Sequence, residues 1–257
     1  MPESNDLARR AALHLDRSWR ALARDDAAVH RPAYIRVITG MAHPLGNVAI
    51  VNDAADAADL AEAAQPLVDG AWPATVIGCA AWPATAASWL AAAGFSSVES
   101  MPAMVVDIAE LPATGLPAGC EWLRVEPAQA AEFTSVLAVG FEMPPALARR
   151  FSPATLGIDP APAAATQYYA IRCGGRLVAT SVLFLADGLA GIYSVATLPE
   201  FRGRGLGRHA TSQPLRVAAA LGYRIGVLQS SAAGYPVYRG LGFRETGRLP
   251  VCMRVPG

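Results

Sequence analysis

The 257-residue chain contains no lysine, so all 21 of its basic side chains are arginine. A P-loop of the G-x-x-x-x-G-K-[ST] type uses a lysine to reach the nucleotide phosphates, and its absence counts against that class of nucleotide site. Charged residues make up only 16% of the chain, and the formal net charge is zero. A neutral chain gives no electrostatic reason to expect binding to nucleic acid or to an anionic membrane.

Cysteine, histidine and unbroken apolar runs are also scarce. The four cysteines are Cys79, Cys120, Cys173 and Cys252. They form no C-x-x-C pair, and with only four histidines the chain has no metal signature. We therefore expect reduced, mostly buried thiols in a cytoplasmic protein, and the alanine-rich, lysine-free composition suggests a bacterial source. The uncharged residues 71–98 are interrupted by Pro73 and Pro83, which counts against a membrane span.

A glycine- and arginine-rich loop, Arg202–Arg208, is the most informative segment that is present. It follows an apolar run at Gly191–Thr197 that predicts a strand, and it leads into Leu206–Leu221, which predicts a helix. Glycines let a backbone approach a ligand, a helix N-terminus offers unpaired N–H donors, and arginines add fixed charge. The loop therefore predicts a pocket for a phosphate or diphosphate, unless it is an ordinary surface turn that caps the helix.

The spacing of the arginine and glycine residues in this loop can be compared with known phosphate-binding patterns. Arg202, Gly205 and Gly207 form an R-x-x-G-x-G pattern, which resembles the acyl-CoA diphosphate loop of the GCN5-related N-acetyltransferases (the GNAT family). Downstream, Tyr238 and Leu241–Phe243 match the end of the family pattern N-x-x-A-x-x-x-Y-x-x-L-G-F. The resemblance covers about residues 120–255.

Two positions of the downstream pattern depart from the family. Ser231 stands where the family usually has asparagine, and Gly234 stands where it usually has alanine. In the family the tyrosine of this pattern protonates the departing CoA thiolate. A phenol suits that role because its ordinary pKa is near 10 and it stays protonated at neutral pH. Tyr238 is therefore the expected proton donor, although a half-buried aromatic on a short helix is the structural alternative.

The resemblance also implies the rest of a site. Strand backbone near Val195 would pair with the pantetheine amides, and an N–H of Val195 or Ala196 would stabilise the oxyanion. Glu142, in a loop that borders the acceptor site in the family, would hold an ammonium group or remove its proton, unless it is simply a solvated loop carboxylate. The cofactor-binding residues expected in this way are Val195, Ala196, Thr197, Arg202, Gly203, Arg204, Gly205, Leu206, Gly207, Arg208, Ser231 and Tyr235.

The two halves of the chain resemble each other. When they are aligned without gaps so that Gly94-Phe95 lies on Gly242-Phe243, Gln65-Pro66-Leu67 lies on Gln213-Pro214-Leu215. In this register the loop Arg202–Gly207 aligns with Ala54–Asp59, where alanines and aspartates replace glycines and arginines. Carboxylates repel a diphosphate, so the first half is expected to be a degenerate copy that does not bind CoA in the usual way.

These observations lead to one prediction of fold and organisation. We expect an α/β (α+β) fold in which a mixed, mostly antiparallel sheet is flanked by helices, in two related halves. Residues 1–110 would form the degenerate half, 111–119 a Pro/Gly-rich linker, and 120–257 the catalytic domain.

The expected function is transfer of an acetyl group from acetyl-CoA to a primary amine of a small molecule, by direct attack and without a metal. Alternatives are acetylation of a protein or peptide N-terminus, a non-catalytic acyl-CoA sensor and, least favoured, a nucleotide-binding switch. We expect no nucleic-acid or membrane partner, and the sequence leaves a homodimer open.

Overall fold

A computed structural model describes residues 2–23, 26–82, 84–98 and 100–255. The helices are α1 (Pro2–Leu22), α2 (Ala57–Asp69), α3 (Ala84–Ala92), α4 (Ala130–Gly140), α5 (Pro145–Arg150), α6 (Pro153–Leu156), α7 (Leu206–Ala220) and α8 (Tyr235–Arg239). Within the described ranges, no helix combines the length and the apolar character that crossing a membrane requires.

The strands form two sheets. They are β1 (Ala28–His30), β2 (Tyr34–Ile38), β3 (Asn47–Val51), β4 (Ala74–Gly78), β5 (Ser96–Ser97), β6 (Met101–Asp107), β7 (Cys120–Arg124), β8 (Thr166–Cys173), β9 (Arg176–Ala186), β10 (Leu189–Thr197), β11 (Ile225–Gln229), β12 (Arg244–Leu249) and β13 (Val251–Arg254). The first sheet has the order β1-β2-β3-β4-β13-β5 and the second β12-β6-β11-β10-β9-β8-β7.

The sheets have the predicted mixed, mostly antiparallel character. The pairs β3–β4 and β10–β11 are parallel, whereas β1–β2, β2–β3, β7–β8, β8–β9 and β9–β10 are antiparallel. Each sheet has its own apolar core, one built around Leu60, Leu67 and Leu90, the other around Leu183, Leu215 and Phe243. The fold class expected from the sequence is therefore confirmed.

Each sheet includes one strand from the other half of the sequence. The first unit comprises the described residues up to Ala103 together with those from Glu245 onward, and the second is Met104–Arg244. Strand β13, near the C-terminus, lies between β4 and β5, while β6 from the first half of the sequence lies between β11 and β12. These bounds differ from a simple division into residues 1–110 and 120–257 because each half of the sequence gives one strand to the other sheet.

The cysteines correct one sequence-based expectation. Cys120 and Cys173 lie directly opposite each other in the β7–β8 ladder and form a disulfide. The expectation of four reduced thiols was wrong for this pair, because the antiparallel register brings together two residues 53 positions apart in the sequence. Cys79 and Cys252 are free and buried, as expected.

Candidate active site

The centre of the candidate site is the place where β10 leaves its parallel neighbour β11. The two strands pair from Leu189 opposite Ile225 to Gly191 opposite Val227. Beyond that point, β10 continues to Thr197 paired with β9 alone. In the described part of the chain, the edge of β10 that faces away from β9 therefore has no partner strand over residues 192–197, and an extended ligand can occupy that place.

A β-bulge distorts β10 within this stretch. The register with β9 shifts between Tyr193 and Ala196, so that Ser194 and Val195 together face a single residue of β9. Ser194 has a left-handed backbone with φ of 51°, a conformation that costs energy for a residue other than glycine. The hydroxyl of buried Thr180 donates a hydrogen bond of 3.0 Å to the Ser194 carbonyl. The bulge therefore redirects the backbone at Val195 and Ala196, the two residues expected to stabilise an oxyanion.

The glycine- and arginine-rich loop forms an anion cradle at the start of α7. Gly203 and Gly205 have φ values of 74° and 79°, which only glycine adopts readily. In the part of the chain that the structure describes, the N–H groups of residues 203–208 have no hydrogen-bond acceptor. Side-chain positions built at Gly203, Gly205 and Gly207 meet no atom within 4 Å, so the space in front of the loop is open. The geometry fits a diphosphate.

The arginines of the loop are held by backbone carbonyl groups. Arg202 donates to Thr197 O at 3.1 Å, Arg204 to the Glu200 carbonyl at 2.9 Å, and Arg208 to Gly240 O at 2.9 Å. The carboxylate of Glu200, the nearest acidic group of the loop, is paired with Arg176 at 2.8 Å. The loop therefore presents a net positive charge in a fixed geometry, and Arg208 connects it to the end of α8.

The corresponding helix of the first unit closes its own N-terminus. The carboxylate of Asp56 accepts hydrogen bonds from the N–H groups of Ala58 and Asp59, and the Asp59 side chain accepts one from the N–H of Asp56. This capping box consumes donors that a phosphate would need, and it adds negative charge. Strand β3, which precedes α2, is also shorter than β10, which precedes α7. It ends at Val51, where its pairing with β4 ends.

The first unit contains a cavity of about 290 Å³ instead of an anion cradle. The cavity is lined by Arg9, Asp53 and Cys79 together with small apolar side chains of α1, and it includes none of the predicted site residues. Burial raises the pKa of the Cys79 thiol to about 12, so this cysteine is not a nucleophile at neutral pH.

Tyr238 lies on α8 with its ring packed against the core of the second unit. The ring contacts Phe243 edge to face, with centroids 5.9 Å apart. A side chain built at Gly234 would place its Cβ 2.7 Å from Cε2 of the ring, so the ring lies directly against the backbone of α8. Burial raises the pKa of Tyr238 to about 12, which keeps the phenol protonated at neutral pH. Within the described chain its hydroxyl has no hydrogen-bond partner, so it is available to a ligand.

The C-terminal end of α4 packs against the bulged strand. A Cβ built at Gly140 would lie 2.5 Å from Cβ of Ala196, so only glycine permits this approach. Glu142 follows two residues later, exposed and in a left-handed conformation with φ of 54°. Glu142, the carboxylate predicted for the acceptor site, is thus brought near Ala196. Ser231 is exposed, and its hydroxyl accepts a hydrogen bond of 3.2 Å from the N–H of Gly234, the N-cap residue of α8. Tyr235 is half-buried against the same core as Tyr238.

Sequence reasoning missed three residues that shape this site: Gly140, Thr180 and Ser194. Gly140 could have been suspected, since a glycine before the helix end is otherwise unfavourable. The bulge at Ser194 and the hydroxyl of Thr180 leave no sequence signal, because strand pairing alone brings them together.

These features are matched by a known family of enzymes. Residues 140–243 match the model described as the acetyltransferase (GNAT) family, and this range includes the bulge, the loop and Tyr238. This part of the chain is therefore similar in sequence to the GNAT family. None of the curated proteins matches the chain.

Solved structures share the fold over almost the whole chain. A GCN5-related N-acetyltransferase from Kribbella flavida is 20% identical with a TM-score of 0.65, and the match covers 97% of this chain and 96% of that one. Another, from Sphaerobacter thermophilus, is 18% identical with a TM-score of 0.62, covering 94% and 84%. A tandem GNAT protein from the clavulanic acid biosynthesis pathway is 15% identical with a TM-score of 0.54, covering 91% and 85%. At these identities the likeness describes the fold, which extends beyond the range matched by the family model into the first unit.

Proposed function

We propose that the second unit transfers an acetyl group from acetyl-CoA to a primary amine of a small molecule. The observation that carries the proposal is the combination of unpaired N–H groups at residues 203–208, the unpaired edge of β10 and the unbonded hydroxyl of Tyr238 within the range that matches the GNAT family. When bound, acetyl-CoA would supply the acetyl group as a reactive thioester.

The residues of this chain would each have one task in the reaction. The N–H groups of residues 203–208 would bind the diphosphate, and the open edge of β10 would pair with the pantetheine amides. An N–H of Val195 or Ala196 would stabilise negative charge that develops on the carbonyl oxygen. The gain in rate comes largely from holding the two substrates in line.

Proton transfer completes the balance of the reaction. As the amine nitrogen bonds to the acetyl carbon and the carbon–sulfur bond breaks, Tyr238 would give its proton to the sulfur. The proton that the amine loses would pass to Glu142 or to water, and Tyr238 would recover a proton from solvent. Because its pKa is about 12, the phenol keeps its proton at neutral pH and can give it to the sulfur as negative charge develops there.

The first test measures binding and turnover separately. Calorimetry gives the affinity for acetyl-CoA, and release of free CoA thiol in the presence of an amine panel gives turnover. We expect Tyr238→Phe to lower kcat about a hundredfold while the affinity for acetyl-CoA stays within a few-fold. Tight binding with no turnover on any amine would instead indicate a sensor.

The loop is tested by removing its charge. The double variant Arg202→Ala with Arg204→Ala should weaken acetyl-CoA binding about tenfold or more, because two fixed charges and two loop hydrogen bonds are lost. Arg244→Ala is the matched control, since this arginine is also exposed but lies in β12. Equal affinity in the double variant and the control would overturn the diphosphate assignment.

A further inference from the structure

The cavity of the first unit lies at the carboxyl ends of two parallel strands. Asp53 follows the end of β3 by two residues, Cys79 directly follows β4, and both residues line the cavity. In α/β sheets, ligands bind in the crevice outside the carboxyl ends of parallel strands. The cavity volume of about 290 Å³ is close to the lower end of the range for small-molecule sites, about 300 Å³. Position and size therefore both fit a small ligand.

An ion pair in the cavity wall uses only part of its hydrogen-bonding capacity. Nε of Arg9 donates to Oδ2 of Asp53, and both residues line the cavity. Within the described ranges, the terminal amino groups of Arg9 and the second carboxylate oxygen of Asp53, Oδ1, have no hydrogen-bond partner. A guanidinium has five N–H donors and a carboxylate has two acceptor oxygens. The pair therefore offers a ligand a fork of donors and, next to it, an acceptor oxygen.

The charges of the lining favour a ligand that carries both signs. Arg248 also lines the cavity, but the Glu245 carboxylate accepts two hydrogen bonds from it, at 2.8 and 3.2 Å, and compensates its charge. The side chain of Arg9 is 60% exposed and that of Asp53 is 20% exposed, so solvent reaches the pair. A simple anion would bind Arg9 but meet the Asp53 carboxylate as well. A ligand with one positive and one negative group satisfies both residues.

The rest of the lining is small and uncharged. Burial raises the pKa of the Cys79 thiol to about 12, so the thiol is neutral at pH 7. The other lining residues are mostly small and apolar, and they include Ala8, Ala12, Ala80, Ala103 and Leu249. Small side chains leave room for an apolar group of the ligand, whose removal from water would add to the affinity.

We infer that this cavity binds an α-amino acid with an apolar side chain. The carboxylate of the amino acid would accept hydrogen bonds from the terminal amino groups of Arg9, and its ammonium group would donate to Oδ1 of Asp53. An α-amino acid carries its two charged groups on one carbon, which matches the adjacent free groups of the ion pair. Its side chain would contact the alanines and Leu249. The inference goes beyond the proposed function and does not depend on it.

Calorimetry with four probes, without acetyl-CoA, tests each part of this ligand. L-Leucine should bind about tenfold more tightly than 4-methylpentanoate, which lacks the ammonium group, and than 3-methylbutylamine, which lacks the carboxylate. Glycine lacks the apolar side chain and should also bind about tenfold more weakly than leucine. No measurable binding of leucine, or binding no tighter than that of either analogue, would overturn the inference.

The variant Asp53→Asn distinguishes a ligand-binding carboxylate from an ion pair with a structural role only. We expect it to weaken leucine binding about tenfold, because the ammonium group loses a charged acceptor. Binding of 4-methylpentanoate should not weaken, since this acid has no donor for Asp53 and is repelled by it. If Asp53→Asn changes the affinity for both probes by the same factor, or changes neither, Asp53 does not contact the ammonium group and the inference fails.

Filling the cavity tests where the amino acid binds. Ala8 is half-buried on α1 and lines the cavity, so the ring of Ala8→Phe would occupy the space and lower the affinity for leucine more than tenfold. Ala21→Phe is the matched control, because Ala21 is a half-buried alanine near the other end of α1 that does not line the cavity. It should leave leucine binding unchanged.

Thermal unfolding shows whether each of these variants is folded. Unchanged leucine binding by folded Ala8→Phe would place the ligand elsewhere and overturn the inference, and if Ala8→Phe does not fold, Asp53→Asn decides the question alone. None of these measurements involves acetyl-CoA or turnover, so their failure would leave the acetyltransferase proposal intact.

Discussion

At the scale of single residues, Gly234 determines where the ring of Tyr238 can lie. The backbone at Gly234 has φ of −79° and ψ of −25°, a conformation that any residue adopts. The steric obstacle to a side chain there is therefore the ring of Tyr238, which lies 2.7 Å from a Cβ built at Gly234. We expect Gly234→Ala to fold normally and to displace the ring, which lowers kcat about tenfold with little change in affinity for acetyl-CoA. Steady-state kinetics and calorimetry measure the two quantities.

A spectroscopic titration provides a readout that does not depend on activity. Burial raises the pKa of Tyr238, so displacement of the ring should lower it, and alkaline ultraviolet titration of the tyrosines should show one more phenol ionising at lower pH. Gly115→Ala is the control, because a side chain built at Gly115 meets no atom within 4 Å. If Gly234→Ala matches that control in both titration and kcat, Gly234 does not position the ring.

Sequence analysis predicted the residues of the candidate site that lie close to one another along the chain. Each of these groups lies in one short stretch of sequence, either the loop Arg202–Arg208 or the segment that contains Tyr238. A sequence motif can describe residues that are this close along the chain. The approach of Gly140 to Ala196 joins a helix end to a strand far along the chain, and no local pattern encodes it. The disulfide between Cys120 and Cys173 escaped prediction for the same reason, because it depends on the register of β7 and β8.

At the scale of elements, the ungapped alignment of the two halves holds for some strands and not for others. It places Tyr34 on Val182, and both residues lie in corresponding strands β2 and β9. Their ladder partners are Val51 and Tyr193, whereas the ungapped alignment would place Val51 on Pro199. The β2–β3 connection is longer than the β9–β10 connection, and β3 is shorter than β10. These two length differences cancel before α2. Sequence identity at the ends of an alignment could not reveal this compensation.

The connection before β7 is fixed to α7 by a small polar network. The hydroxyl of Thr114 lies 3.2 Å from Nδ1 of His209 and 2.7 Å from Oγ of Ser212, and Arg216 donates to the carbonyl of Pro112 at 2.9 Å. The segment 111–119 has no helix or strand, and it packs on the helix that begins at the anion cradle.

The buried His209 in this network should make stability depend on pH. Burial lowers its pKa below 6.5, so the unfolded chain takes up a proton at a higher pH than the folded protein does. Its contribution to the free energy of unfolding is therefore complete above about pH 6.5 and is lost as the pH falls through the folded pKa. We expect His209→Asn, which cannot titrate, to show a smaller loss of stability between pH 7.5 and 5.5 in urea unfolding. An identical loss in the unaltered protein and the variant would contradict this.

At the scale of the whole molecule, the exchange of β6 and β13 makes each sheet depend on residues distant in the sequence. Strand β13 pairs with β4 from Val251 opposite Ile77 to Arg254 opposite Ala74, and it pairs with β5 on its other side. The first sheet is thus completed by the last described strand of the chain. A reading of the sequence in order assigns each strand to its own half, since neighbouring segments usually pair with each other, and it could not anticipate the exchange.

Arg254 shows how the first unit depends on this last strand. Its guanidinium donates to the carbonyl groups of Leu67, Val68 and Gly70 at the C-terminal end of α2, and it lies over the ring of Phe95 at 5.6 Å. The last turn of α2 has no basic residue of its own, so Arg254 supplies the positive charge that a helix C-terminus favours. Removing it would leave three half-buried carbonyl groups without their donor.

We therefore expect Arg254→Met to lower the free energy of unfolding by about 2 kcal/mol, because several hydrogen bonds to a charged donor are lost at a partly buried site. Affinity for acetyl-CoA should stay within twofold, since the loop at residues 203–208 belongs to the second unit. Arg244→Met is the control, an exposed arginine of the neighbouring strand β12 whose loss should cost less than about 0.5 kcal/mol. Urea unfolding and calorimetry measure both effects. If Arg254→Met and Arg244→Met destabilise the protein equally, the contact with α2 is not what anchors the exchanged strand.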